Sequence, residues 1–292
     1  LLDKKLGENF RITHYDADVI ETFAIPNMFP GFSGEFIEDE KTVWMTKGAI
    51  NDYSEVLDCP LPDPDSEDIY RNIIETREKY PDKAIFAMII PPIGTLGGLK
   101  LPQDFMMDLA SEPELIHSVI KRIMPVLTKV AENACNTDID VLYIADDICM
   151  SGGLIYSEKM LREFQFDYIK SIIDMAHSKG KKVFYHTDGM VMNALNLFAE
   201  YGIDGINPLE PRFNSGKEFI SRTKGSLMLY GGIDNCHIIP EGTEEDIVMH
   251  IKSQFENIGK HTPMIFSSHD IPSTVPLKNI DIMTETIKSL RY

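Results

Sequence analysis

Positive charge is scarce in this sequence relative to negative charge. Against 46 Asp and Glu stand 28 Lys and Arg, for a net charge of −18 over 292 residues. Phosphate backbones and anionic lipid surfaces are bound through basic patches, so neither nucleic acid nor membrane is expected as a partner. Arginine occurs only at positions 11, 71, 77, 122, 162, 212, 222 and 291. No run approaches the roughly 20 apolar residues that cross a bilayer. The four cysteines, Cys59, Cys135, Cys149 and Cys236, show neither a CxxC pair nor dense spacing. A reduced, cytoplasmic setting is the expectation. No G-x-G-x-x-G follows a strand-like run, which removes the usual dinucleotide loop. The start, Leu1-Leu2-Asp3-Lys4-Lys5, lacks an apolar h-region and an initiator Met. It reads as a trimmed or incomplete amino terminus and not as a signal peptide.

What is present is enough apolar material, 43%, to bury a full core. Repeats, low-complexity tracts and linkers are missing, so a single domain over 1–292 is expected. Residues 1–65 form an irregular entry region, with a strand over 18–24 and a hairpin turned at Asp39-Glu40. From residue 84 onward short apolar runs alternate with capped helical segments. Strands are expected at 84–90, 141–145, 182–186, 203–207, 227–233 and 264–268. Ser111-Glu112-Pro113-Glu114 reads as a capping box opening a helix to Asn136. Six strand–helix units argue for a parallel sheet covered by helices. An eight-stranded (β/α)8 barrel explains the even spacing best. Seven strands are counted, so the barrel is expected to be incomplete at its amino-terminal strand.

The polar residues fall at particular places. Asp146, Asp147, His186, Asp188, Glu210, Asp234 and His269 all close predicted strands. In a barrel these carboxyl ends converge on one mouth, where active sites lie. Within Val183-Phe184-Tyr185-His186-Thr187-Asp188-Gly189, alternation sends His186 and Asp188 to one side and Thr187 to the other. The plain alternative is a hydrogen-bonded core histidine followed by a helix-capping aspartate. Caps alone would favour Ser, Thr and Asn over two histidines. Tyr143, Tyr185 and Cys149 read as core.

Three segments carry a resemblance: His186-Thr187-Asp188-Gly189, Gly231-Gly232-Ile233-Asp234, and the run from Phe266 through His269-Asp270-Ile271-Pro272 to Ile280. Together they resemble the uroporphyrinogen decarboxylase superfamily over roughly residues 66–292, most closely after 140. The resemblance implies a barrel enzyme with one of two chemistries. One is a metal-free decarboxylation of a tetrapyrrole by arginines and an aspartate. The other is methyl transfer between methylated donors or corrinoid proteins and thiols, with zinc held by His, Cys and Cys. His186 stands at the zinc histidine of the methyltransferases; Asp188 and His269 stand where that branch has its cysteines. His269 also matches a histidine of the decarboxylases. The implied set, His186, Asp188 and His269, suits zinc with an open position or another divalent ion. Asp147, Asp188, Glu210 and His269 are the expected catalytic groups, and Asp146, Arg212 and Asp234 the substrate-binding ones. The decarboxylase branch's arginine-rich segment is missing, and an acidic mouth suits an octacarboxylate poorly. The expected function is metal-assisted methyl transfer to or from a small molecule or a methyl-corrinoid partner protein. A metal-free carboxy-lyase is the alternative, with a non-catalytic barrel serving a corrinoid protein as a third reading.

Overall fold

The computed structural model describes residues 10–38, 43–272 and 275–291. They divide into two compact units. One holds 21–146 and 156–183; the other holds 10–20, 147–155 and 184–291.

In the first unit, β1 (Val19–Phe23) lies beside β4 (Ala84–Ile89). The Thr22 hydroxyl, fully buried, donates to the Phe86 carbonyl at 3.0 Å, and the Ala24 N–H donates to Met88 at 2.8 Å. Between them β2 (Glu35–Glu38) and β3 (Val43–Lys47) form the expected antiparallel hairpin, with Ile37 opposite Trp44. Its turn at Asp39-Glu40 lies outside the described residues. Next to β4 runs β5 (Val141–Ala145), parallel, with Phe86 in register with Val141. All five β5 residues are buried, which is why this strand reads as a continuous apolar run.

The helices of this unit correct several expectations. Two helices, Pro92–Gly97 and Pro102–Ser111, are not foreseen from the sequence because each opens on proline with no side-chain cap. Ser111 closes the second of these, donating to the Met107 carbonyl, and so does not cap the next helix. That long helix, Pro113–Asn136, starts after Glu112 without a side-chain cap bond. The apolar spacing of Ile69, Ile73 and Ile74 suits one helix over 66–79, but the chain breaks at Tyr70 into a 3-10 turn, Glu67–Ile69, and an α-helix, Arg71–Lys79. Its Ile73 is buried, but Ile74 faces solvent. Ser157 does cap its helix, accepting from the Met160 N–H, and a π-helical turn comes next at Arg162–Phe166.

The second unit begins its sheet structure with a short pairing of β6 (Cys149–Met150) and β7 (Gly153–Leu154). The end of β8 (Lys182–His186), β9 (Gly205–Asn207), β10 (Met228–Ile233) and β11 (Met264–Ser268) then run parallel in chain order. Helix Leu195–Tyr201 stops at Gly202, whose φ of +86° suits a residue without Cβ. Helix Glu244–Gln254 opens with a capping box between Thr243 and Asp246. It packs with helix Leu277–Ser289 around Ile233, Ile239, Ile247, Ile251, Ile280 and Met283.

Counting both units, the described residues supply seven parallel main-sheet strands. The chain is an α/β protein of the (β/α)8 type with one strand fewer than a complete barrel among the described residues.

Candidate active site

Every group in this site belongs to the second unit. The β8 strand proper ends at His186, but the Thr187 N–H still bonds the Asn207 carbonyl at 2.9 Å and carries the ladder one residue further. The alternation expected from the sequence therefore persists through Asp188. Thr187 points away from the site, fully buried. Its Oγ1 accepts from the Ile148 N–H at 3.0 Å and the Cys149 N–H at 2.9 Å. Gly189 comes next with φ +88°, and a Cβ there would lie 2.5 Å from the Met150 carbonyl. Only glycine lets the chain turn here. Asn214 secures the turn from the other side, donating to the Gly189 carbonyl at 2.8 Å and accepting from the Val191 N–H at 3.0 Å.

His186 and Asp188 meet His269, which immediately follows β11. Among the described residues, these three form the group able to hold a metal ion, with one ligand atom of each within 4.8 Å of the others. The two imidazole centroids lie 5.1 Å apart, tilted by 31°. His269 Nε2 is 3.2 Å from Asp188 Oδ1. That oxygen is buried and makes no well-directed hydrogen bond. Burial pushes the Asp188 carboxyl up, but the neighbouring His269, with His186 and Arg212, outweighs it and holds the group below the usual carboxylate value. Burial likewise pushes His269 down. Asp188, then Asp270 and Glu210, reverse this and raise the imidazole above its ordinary value.

The tautomer of His186 is fixed by Asn207, a residue not among those expected from the sequence. Asn207 donates its Nδ2 to the Tyr230 carbonyl at 3.0 Å, which turns its Oδ1 towards His186 Nδ1 at 2.8 Å. An amide oxygen only accepts, so His186 carries its proton on Nδ1, and the Nε2 lone pair faces the site. The available signal was position: Asn207 closes β9 just as His186 closes β8, in register with it.

The other predicted residues surround this group in different ways. Asp147 accepts the Asp188 N–H at 3.0 Å and lies 3.9 Å from His186 Nε2, with 58% of its side chain exposed. Glu210 is buried; its Oε1 accepts the Gly189 N–H at 2.8 Å and its Oε2 accepts from Arg212 at 2.7 and 2.8 Å. Asp234 turns inward on its own loop, accepting the N–H groups of Cys236 and His237, both at 2.8 Å. Asp146 belongs to the other unit, where its carboxylate accepts from the buried Gln165 amide at 2.8 Å. Cys149 is buried, and burial drives its thiol up to about 12, which suits packing and not nucleophilic attack.

Solved structures share this fold. A methyltransferase from Methanosarcina mazei superposes with a TM-score of 0.72 at 16% identity, over 96% of this chain and 82% of that one. A Listeria monocytogenes protein assigned as a vitamin B12-independent methionine synthase gives 0.53 at 13% identity, over 95% and 82%. Identities this low speak for the fold alone. None of the curated proteins matches the chain. The family description for uroporphyrinogen decarboxylase (URO-D) matches residues 31–290, and the chain belongs to that family.

Proposed function

We propose that this family member is a metal-assisted methyltransferase acting on a small methylated compound or a methyl-corrinoid protein. The observation that carries the reading is the meeting of His186, Asp188 and His269 around one point, with a buried Asp188 oxygen that faces the His269 imidazole at 3.2 Å without a well-directed hydrogen bond. A buried carboxylate oxygen met only by a poorly aligned imidazole keeps part of its desolvation cost, and a cation at that point would remove it. Two imidazoles and one carboxylate fit zinc or a similar divalent ion with a position left open. The departure from the thiolate set of the related methyltransferases makes this a harder, more weakly donating site.

The chain's own residues then divide the work. His186, Asp188 and His269 are the ligands. Asn207 keeps the His186 Nε2 lone pair turned inward, the kind of support that fixes a ligand's orientation and basicity. Asp147, open to solvent beside His186, is placed to take the proton of an incoming acceptor. Glu210 anchors the Gly189 turn and so holds Asp188 in position. A bound divalent ion would supply Lewis acidity, lowering the pKa of an acceptor thiol, hydroxyl or water.

One observation favours a second reading. His269 and Asp188 shift each other's protonation in the sense of an ion pair, which suits proton handling in a metal-free carboxy-lyase. Metal content separates the two. Dialysed protein should rebind about one equivalent of zinc per chain, measured by elemental analysis at neutral pH. His186→Ala should abolish uptake with the circular-dichroism spectrum unchanged. Wild-type protein that takes up no divalent ion would refute the methyltransferase reading.

A further inference from the structure

Arg212, expected from its strand-end position to bind substrate, is placed in a way that is unusual for a structural cation. Eight arginines serve the whole chain, and among the residues gathered around His186, Asp188 and His269 this is the cation that stays charged at every pH. It is tied to them by a short path. Gly189, next in sequence to Asp188, donates its N–H to Glu210, and Glu210 receives the guanidinium.

The way it is held matters more than the pairing itself. Glu210 is buried and has both oxygens committed, Oε1 to the Gly189 N–H and Oε2 to Arg212. Arg212 reaches it through Nε at 2.8 Å and Nη2 at 2.7 Å, so one edge of the guanidinium faces inward. Its plane lies against Phe213, 4.4 Å from the ring centroid. A guanidinium has two edges able to grip a carboxylate in a fork. With the Nε–Nη2 edge spent on Glu210, the Nη1–Nη2 edge is met only by the weakly accepting Cys236 thiol, with Asp234 nearby, on a side chain that is 38% exposed. Stacking and pairing have already removed the rotamer freedom that a surface arginine would lose on binding.

We propose that the Nη1–Nη2 edge of Arg212 binds a carboxylate of the substrate, so that the enzyme acts on a small acid and not on a neutral or cationic analogue. The inference rests on the methyltransferase reading for the chemistry at the ion but not for the anion contact. Beside the carboxylates of Asp147 and Asp188, an acidic substrate would be repelled from most approaches. A single preorganised arginine therefore fixes the pose as well as the affinity: carboxylate on Arg212, reacting end towards the three ligands. The Arg212 charge also acts at Asp188. There burial is the largest influence and works upward, while His269, His186 and Arg212 together hold the carboxyl low.

The test uses calorimetry on zinc-loaded protein with two probes, 3-mercaptopropionate and the neutral 2-mercaptoethanol. Wild type should prefer the carboxylate-bearing thiol by at least about tenfold, the scale of one charge-assisted forked contact. Arg212→Gln should erase the preference with zinc content unchanged. Arg212→Lys keeps a positive charge against Glu210 if the glutamine variant fails to fold; lacking the fork, it should retain only part of the preference. Equal affinities in wild type, or a preference that survives in Arg212→Gln or in full in Arg212→Lys, would overturn the proposal. Metal-free protein titrated with propionate keeps the two readings apart. Arg212-dependent binding there supports the anion contact even if zinc is never taken up, and its absence there and with the loaded protein overturns it.

Discussion

Thr187 offers the sharpest test of how the site is built, because it touches neither substrate nor ligand atoms. Its buried Oγ1 accepts two backbone N–H groups, from Ile148 at 3.0 Å and Cys149 at 2.9 Å. Thr187→Val keeps the shape and the β-branched preference but removes the acceptor. Two buried N–H groups are then left without partners. Each such orphan costs about 1–3 kcal/mol, and valine leaves no cavity to add a further term. Allowing for partial relaxation, the expected loss is about 3 kcal/mol, a fall of roughly 5–10 °C in Tm for a chain of this size. Thr187→Ser keeps the hydroxyl and loses one methyl, worth about 1 kcal/mol. Thermal and denaturant unfolding followed by circular dichroism, on metal-free protein, rank the three. Zinc affinity should fall with the valine variant as well, since Thr187 stands between His186 and Asp188 and anchors both. A valine variant as stable as the serine one would show that these N–H groups find other partners, and the argument for Thr187 as the anchor would fail.

Neighbouring groups give two further expected outcomes. Asn207→Ala removes the acceptor that holds the His186 tautomer and should weaken zinc binding by about 10–100-fold, read by chelator competition; a change within twofold would deny Asn207 that role. His250 accepts the Asp234 N–H through Nε2 at 3.1 Å, and burial, opposed in part by Asp234 and Gly232, lowers its pKa. A base with a depressed folded pKa binds its proton more readily when unfolded. Stability should therefore fall as pH drops below the unfolded value of about 6.5, until the folded pKa is passed. His250→Gln keeps an acceptor but cannot titrate, so unfolding midpoints at about pH 7.5 and pH 5 should differ less for the variant than for wild type. Equal pH dependence in both would remove His250 as the cause.

The strands, and the residues that close them, are legible from local signals in the chain. Apolar runs buried on both faces, as in Val141–Ala145, are dense signals of this kind, and a period of two puts His186 and Asp188 on one side without further information. Helices with side-chain caps, such as those opened by Ser157 and Thr243, are legible for the same reason: the cap and its donor lie within three residues. Helices opened by Pro92 and Pro102 carry no such cap and stay hidden, and Ser111 looks like a cap while ending the preceding helix. The partners of each polar group, by contrast, are set only once the chain has folded. Whether Asp188 faces His269, whether Glu210 spends its charge on Arg212, and whether Asn207 accepts from His186 depend on strands far apart in the chain meeting side by side. Asp234 and Glu210 are chemically interchangeable as letters. One caps its own loop and the other is buried beneath a guanidinium, because only packing determines which N–H groups each carboxylate can reach.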